Sequence, residues 1–300
     1  MKLGIGITDF SWPIPADHLG PTVTDLAQQA DESGFDSLWV MDHFFQIGLS
    51  GQPPESPMLE AYAALGFLAG ITRRITLGTL VTSVAYRHPG VLLKSLTTID
   101  VLSGGRTYFG IGAGAAVNPR TLDRIFETDG LGIPFPSLGQ RFEMLEETLQ
   151  IAHRMWDGDE TPFRGKHYEL ARPLNSPNSV QRPRPPILIA GSGERKTLRL
   201  VARYGDACSL FDMPGAGYAD DITHKLDVLR AHCDEAGRDV DEIEKTIGTH
   251  LDPSDEKHFI AHMRELAALG IDHVLLAPQG PWDEKRLAGV AAMLPEVHAM

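Results

Sequence analysis

Only two of the 300 residues are cysteine, Cys208 and Cys233. Two thiols make no disulfide framework, and neither stands in a metal-type spacing, so the chain reads as a protein of the reducing cytoplasm. Long apolar runs are also missing, and none nears the ~20 residues of a membrane span. The N-terminus, MKLGIGITDF, lacks the charged and apolar regions of a signal peptide. Positive charge is scarce: 27 Lys and Arg face 40 Asp and Glu, a formal net charge of −13. Nucleic acid and anionic membranes demand a basic footprint, so both are excluded as partners. A small anionic ligand stays allowed, because it responds to local rather than net charge.

Several catalytic signatures are absent as well. No H-x-H follows the first strand and no H-E-x-x-H occurs, so a metal-dependent hydrolase lacks its ligands and no metal is expected. His43, His88, His250 and His273 stand singly. No G-x-S-x-G elbow is found. No G-x-G-x-x-G follows strand one, and GIGAGAAVN (110–118) lacks that spacing.

What is present is an alternation of strand and helix signals running to the end of the chain. LGIGI (3–7), SLWVM (37–41), RITLGTLVT (74–82), RTYFGIG (106–112), PPILIAG (185–191), DACSLF (206–211), EKTIGTH (244–250) and DHVLLAP (272–278) read as strands. Helical spacing follows each. Val23, Leu26, Ala27 and Ala30 precede a capping Gly34, and Phe142, Leu145, Leu149, Ala152 and Trp156 form one stripe. Ser137 with Gln140 predicts a capping box. Eight units over 1–300 predict one α/β domain, a (β/α)8 TIM barrel, with an open doubly wound sheet as the alternative. The stretches 114–137, after strand four, and 157–184 are too long for ordinary connections. They are expected outside the barrel as functional insertions, with TPFRGKHYEL as a small hairpin.

A barrel's site lies where its strands end. Asp42 and His43 follow strand two; Thr79 and Leu80 lie near the end of strand three. Asn118 comes after strand four, Gly191-Ser192-Gly193 after strand five, Phe211 at the end of strand six and His250 at the end of strand seven. The glycine turn suits an anion, with Arg195, Lys196 and Arg199 adding local positive charge, but a plain tight turn would look the same. His43 is either an acid or base working near neutral pH or a structural histidine; Asp42 is either a ligand contact or a cap.

Five segments in order, WVMDHFFQ (39–46), LGTLVTSVAYRHP (77–89), the LSGGR-to-GIGAG stretch (102–114), GIPFPSLGQRFEMLEETLQIAHRMW (132–156) and RPPILIAGSGERKTLRLVARYGDA (184–207), resemble the luciferase-like monooxygenase superfamily. More closely, they are similar to its branch of oxidoreductases dependent on the deazaflavin coenzyme F420. The resemblance implies a (β/α)8 barrel and a ring lying across its mouth beside a non-prolyl cis peptide, matched here by Thr79–Leu80. It also implies cofactor contacts from Asp42, Thr79, Leu80, Asn118 and the Gly191-Ser192-Gly193 turn; Arg195, the cation nearest that turn, is expected from local charge to add a contact to the anion. By the resemblance His43 would face the reacting centre; Phe45, Phe211 and His250 are expected on the substrate side from their own places along the chain. F420 is the implied cofactor and FMN, in an oxygen-using monooxygenase, the alternative. The partner is a small-molecule substrate, and a homodimer is implied by resemblance alone. The chain departs from sugar-phosphate dehydrogenases of this superfamily in one respect: it has Ala115 where they carry an acid glutamate.

Overall fold

The computed structural model describes residues 1–47, 52–114, 123–212 and 218–300, the side chains of 123–126 excepted. Its strands are β1 (Lys2–Ile7), β2 (Ser37–Val40), β3 (Thr76–Thr79), β4 (Thr82–Ser83), β5 (Thr107–Gly112), β6 (Phe163–Arg164), β7 (Glu169–Leu170), β8 (Ile187–Ala190), β9 (Ala207–Phe211), β10 (Glu244–Thr249) and β11 (His273–Leu276). β6 and β7 form the expected antiparallel hairpin. The others pair in parallel as a ring: β1, β2, β3, β5, β8, β9, β10, β11 and back to β1. This closed ring of eight is the (β/α)8 barrel, not the open sheet.

Strand three differs from its sequence reading. RITLGTLVT predicts one run, but β3 ends at Thr79 and β4 resumes at Thr82. The non-prolyl cis bond is Leu80–Val81, one residue beyond the expected Thr79–Leu80. The ladder explains the offset. Val40 lies opposite Thr79, and the Leu80 amide still donates to the Val40 carbonyl at 3.0 Å. The chain leaves the ladder only after that bond. Glycine is required alongside, since a Cβ at Gly110 would stand 1.8 Å from the Thr79 carbonyl oxygen.

The helices lie outside. They are α1 (Leu19–Ser33), α2 (Ala61–Ile71), α3 (Pro89–Ser103), α4 (Asp123–Gly130), α5 (Leu138–Asp157), α6 (Thr197–Tyr204), α7 (Tyr218–Ala236), α8 (Glu256–Ala268) and α9 (Glu284–His298). α1 ends on Gly34 at φ +91°, and α5 opens with the Ser137–Gln140 capping box, both as the sequence predicts. Apolar helix faces such as Leu145, Leu149 and Ala152 of α5 join outward strand residues in one cluster running from Leu3 to Val297. Each fully buried leucine among them contributes about 1.5–3 kcal/mol by leaving water. The lumen holds a separate cluster of Trp39, Tyr108, Leu188, Ala207 and Leu275, with Leu80, Val81 and Ala190 packed on it. At the strands' N-terminal ends the lumen turns polar: Ser37 meets His273 at 2.8 Å, and Glu244 accepts from Lys2 at 2.7 Å and from Tyr108 at 2.9 Å.

Both long connections leave the ring. Region 157–184 carries the hairpin, then fastens to α3, where the Asp100 carboxylate accepts from Ser179, the Val180 amide, Gln181 and Thr107. Region 114–137 contains α4, a helix that its Gly, Pro and charge content does not announce.

Candidate active site

Three buried carboxylates organise the C-terminal ends of the strands. Asp42, just beyond β2, is 1% exposed and takes a bidentate grip from Arg87 at 2.6 and 2.9 Å. Arg87 also pairs with Glu60, which caps α2 by accepting from the Ala63 amide. The guanidinium lies 4.7 Å from the Tyr62 ring centroid and 5.3 Å from that of Phe44. Burial alone would lower its pKa, but the hydrogen bonds and charge of Asp42 outweigh burial and raise it, so the guanidinium stays charged. Tyr62, driven upward chiefly by burial, stays a neutral phenol and meets Thr82 at 2.8 Å.

The second carboxylate is Glu127 of α4, 1% exposed. Its Oε2 accepts from the Phe44 amide at 2.6 Å and the Phe45 amide at 3.1 Å. Its Oε1 accepts from the Tyr86 hydroxyl at 2.5 Å and lies 3.3 Å from His43 Nδ1. Burial pushes Glu127 toward the neutral acid, but hydrogen bonds and charge at His43, with Tyr86 and Phe45, outweigh it and hold the carboxyl below its usual range. The third is Asp212, which meets His262 at 2.6 Å and accepts from Thr249 at 2.8 Å. The hydrogen bond and charge of Asp212, with Glu265, outweigh burial and raise the His262 pKa.

The structure therefore brings Asp42, His43 and Phe45 together and adds four residues that the sequence reading omitted: Glu60, Tyr86, Arg87 and Glu127. Tyr86 and Arg87 stood inside a quoted motif, so position could have flagged them. Glu127 carried no local signal. Thr79 is fully buried and donates its hydroxyl to the Gly110 carbonyl at 2.8 Å, whereas half-buried Leu80 lies on the lumen cluster. Asn118 lies outside the described residues.

The glycine turn stands at the end of β8, three strands around the ring from β2. It does not open the helix directly. A three-residue turn intervenes before α6 starts at Thr197, while the Leu198 amide donates to the Gly193 carbonyl at 3.1 Å. Gly191 has φ +123°, which disfavours any side chain there. The Ser192 and Gly193 amides find no acceptor among the described residues. Of the three nearby cations, Lys196 lies 5.2 Å from the Phe142 ring centroid and Arg199 lies 3.8 Å from Glu146, both against α5. Arg195 is exposed and forms no ion pair among the described residues. Phe211, 61% exposed, ends β9 directly opposite β2 in the ring, and His250 follows β10 with Nδ1 2.5 Å from the Ala277 carbonyl.

Among the described residues, no group of three or more His, Cys, Asp or Glu is arranged to hold a metal, and no helix is long and apolar enough to cross a membrane. A closed parallel barrel with an imidazole, a buried ion pair and an open glycine turn at its strand ends has the layout of a TIM-barrel enzyme. The comparisons refine that class. The luciferase-like monooxygenase pattern matches residues 12–257, and the chain belongs to that family. An F420-dependent glucose-6-phosphate dehydrogenase of Nakamurella multipartita is 29% identical over 93% of this chain and 78% of its own. Another of that name, from Kineococcus radiotolerans, is 30% identical over 79% of this chain and 65% of its own. An F420-dependent secondary alcohol dehydrogenase solved with an F420–acetone adduct superposes with a TM-score of 0.79 at 19% identity, covering 99% of both chains. The coenzyme F420-dependent tetrahydromethanopterin reductase of Methanopyrus kandleri gives 0.74 at 17% identity, covering 98% of both. At these identities the two structures speak for the fold alone.

Proposed function

We propose that this protein is an F420-dependent oxidoreductase that passes a hydride between the deazaflavin and a small organic substrate. The observation that carries the reading is His43, an imidazole anchored on a buried carboxylate at a strand end, with 12% of its side chain still accessible. Relatives named as F420-dependent dehydrogenases support the choice of cofactor.

The residues present fit such a group. Leu80 and Val81 offer an apolar floor for a planar ring. The Ser192 and Gly193 amides, with Arg195, offer donors and charge for a phosphate. Asp42 acts through Arg87, because that bidentate grip occupies its carboxylate. Asn118 completes the proposed contacts. Bound F420 supplies the hydride chemistry. His43 takes the proton from a substrate hydroxyl when hydride leaves the adjoining carbon, and returns one in the reverse direction. Phe45, Phe211 and His250 bound the substrate side. The His250 Nδ1–H donates to Ala277, which leaves Nε2 as an acceptor. Two buried free thiols suit a cytoplasmic location, and a homodimer of one-domain chains completes the reading.

The test is fluorescence titration with F420 and FMN separately, followed by turnover of His43→Ala. F420 is expected to bind more tightly than FMN. The variant should keep its F420 Kd within a few-fold while turnover falls by roughly 100-fold or more. Tighter FMN binding would replace this reading with a flavin monooxygenase, and unchanged turnover would make His43 structural.

A further inference from the structure

Glu127 is closed off from solvent, yet it contacts His43 from a helix 84 positions along the chain. Its four acceptor positions are filled: Oε1 faces Tyr86 and His43, and Oε2 takes two backbone amides. A carboxylate so occupied has nothing left to offer a substrate. It can act only through its neighbours.

We propose that Glu127 is the positioning residue of the site, fixing His43 as the Nδ1–H tautomer so that Nε2 is the atom that exchanges protons with substrate. The argument is one of donors and acceptors. An ionised carboxylate only accepts, so the facing Nδ1 must donate and the neutral ring keeps its lone pair on Nε2. Two amides and Tyr86 hold the carboxylate independently of His43, so the carboxylate orients the ring and not the reverse. The inference deepens the proposed role of His43 and rests on it.

Glu127→Gln makes a sharp test. The two amides at the Oε2 position demand an acceptor, so the carboxamide oxygen must sit there. Its NH2 group then faces Nδ1 and donates to it. The tautomer should reverse to Nε2–H, leaving a donor where the site needs an acceptor. A wrong tautomer in a preserved geometry costs about 10⁴-fold in the serine-protease triad. Here the expected loss in kcat is at least roughly 100-fold, with F420 Kd within a few-fold.

The experiment is ¹⁵N NMR on the full-length protein with histidine-selective labelling, His43 being assigned from the spectrum of His43→Asn. Wild-type protein above the histidine titration should show Nδ1 protonated and Nε2 bare, and Glu127→Gln the reverse. An Nε2–H tautomer in the wild type overturns the proposal without any variant having to fold. A folded Glu127→Gln with the wild-type tautomer overturns it too, as does a reversed tautomer with unchanged kcat. Failure of the wider reading looks different, since His43→Ala would then turn over normally whatever the tautomer.

Discussion

Replacing Asp42 by Asn tests whether its first duty is to Arg87 or to a ligand. The Asp42 side chain is fully buried and that of Arg87 is 15% exposed, so the charge left behind cannot hydrate freely. Breaking a buried pair by removing one partner costs about 3–5 kcal/mol. Here the cost belongs at the lower end. Arg87 keeps Glu60, 39% exposed, and two aromatic faces, the latter worth about 0.5–2 kcal/mol each. The Asn oxygen still accepts one hydrogen bond, although its NH2 opposes a guanidinium N–H. We expect about 3 kcal/mol, or roughly 5 °C in Tm for a chain of this length. Removing both charges with Asp42→Asn plus Arg87→Met should recover more than half of that loss, because no buried ion is then unpaired. Differential scanning calorimetry on the two single variants and the double variant closes the cycle. A Tm unchanged within 1 °C for Asp42→Asn would refute the reasoning and return Asp42 to a direct ligand contact.

The plug at the barrel's other end predicts an acid limb. Burial raises the pKa of Glu244, but His273 and Lys2 outweigh it and push the carboxyl down to about 2 from the model-compound 4.5. A depressed carboxylate stabilises above its unfolded pKa and loses that contribution as pH falls through its folded one. Stability should therefore drop between about pH 4.5 and 2, and Glu244→Gln should flatten that limb in urea titrations; an identical acid limb would disprove the assignment. At the glycine turn, Arg195→Ala should raise the F420 Kd several-fold, the scale of one exposed charge contact at ~0–1 kcal/mol. Added salt should weaken the wild type more than this variant. Equal salt slopes would place the anion elsewhere.

The barrel was legible because its signals are local. Strand runs, helical stripes, Gly34 and the Ser137–Gln140 box each depend on neighbours within one or two turns, and the structure keeps them. Motif position likewise put Asp42 and His43 at a strand end. The misreadings are non-local. Whether the cis bond follows Thr79 or Leu80 depends on a carbonyl of β2, which the local sequence does not reveal. Lys196 and Arg199 look available beside the glycine turn, but α5 brings Phe142 and Glu146 against them. Glu127 is one carboxylate among 40 acidic residues, in a stretch without periodicity. Only folding sets it against His43.

The net charge of −13 gives little guide to the mouth, because the acidic groups there are largely committed. Asp42 is matched by Arg87, Glu127 is filled by four donors, and Asp212 is held by His262 and Thr249. Asp212 keeps its Oδ1 without a partner among the described residues, and Asp9, beyond β1, is less committed still. It is 1% exposed, its Oδ1 accepts from the Ser11 amide at 2.8 Å and from the Ser11 hydroxyl, and its Oδ2 has no partner among the described residues. In a ring of eight, β8 lies directly opposite β1. The mouth thus carries a half-satisfied carboxylate beyond β1 and, across from it, unmatched amides with Arg195, although Asp212, beyond the adjoining β9, also keeps one oxygen without a partner among the described residues. Such a field orders an elongated ligand. On the proposed reading, the anionic end of the cofactor belongs over β8, away from Asp9, and the uncharged reacting end falls toward β2, where His43 stands.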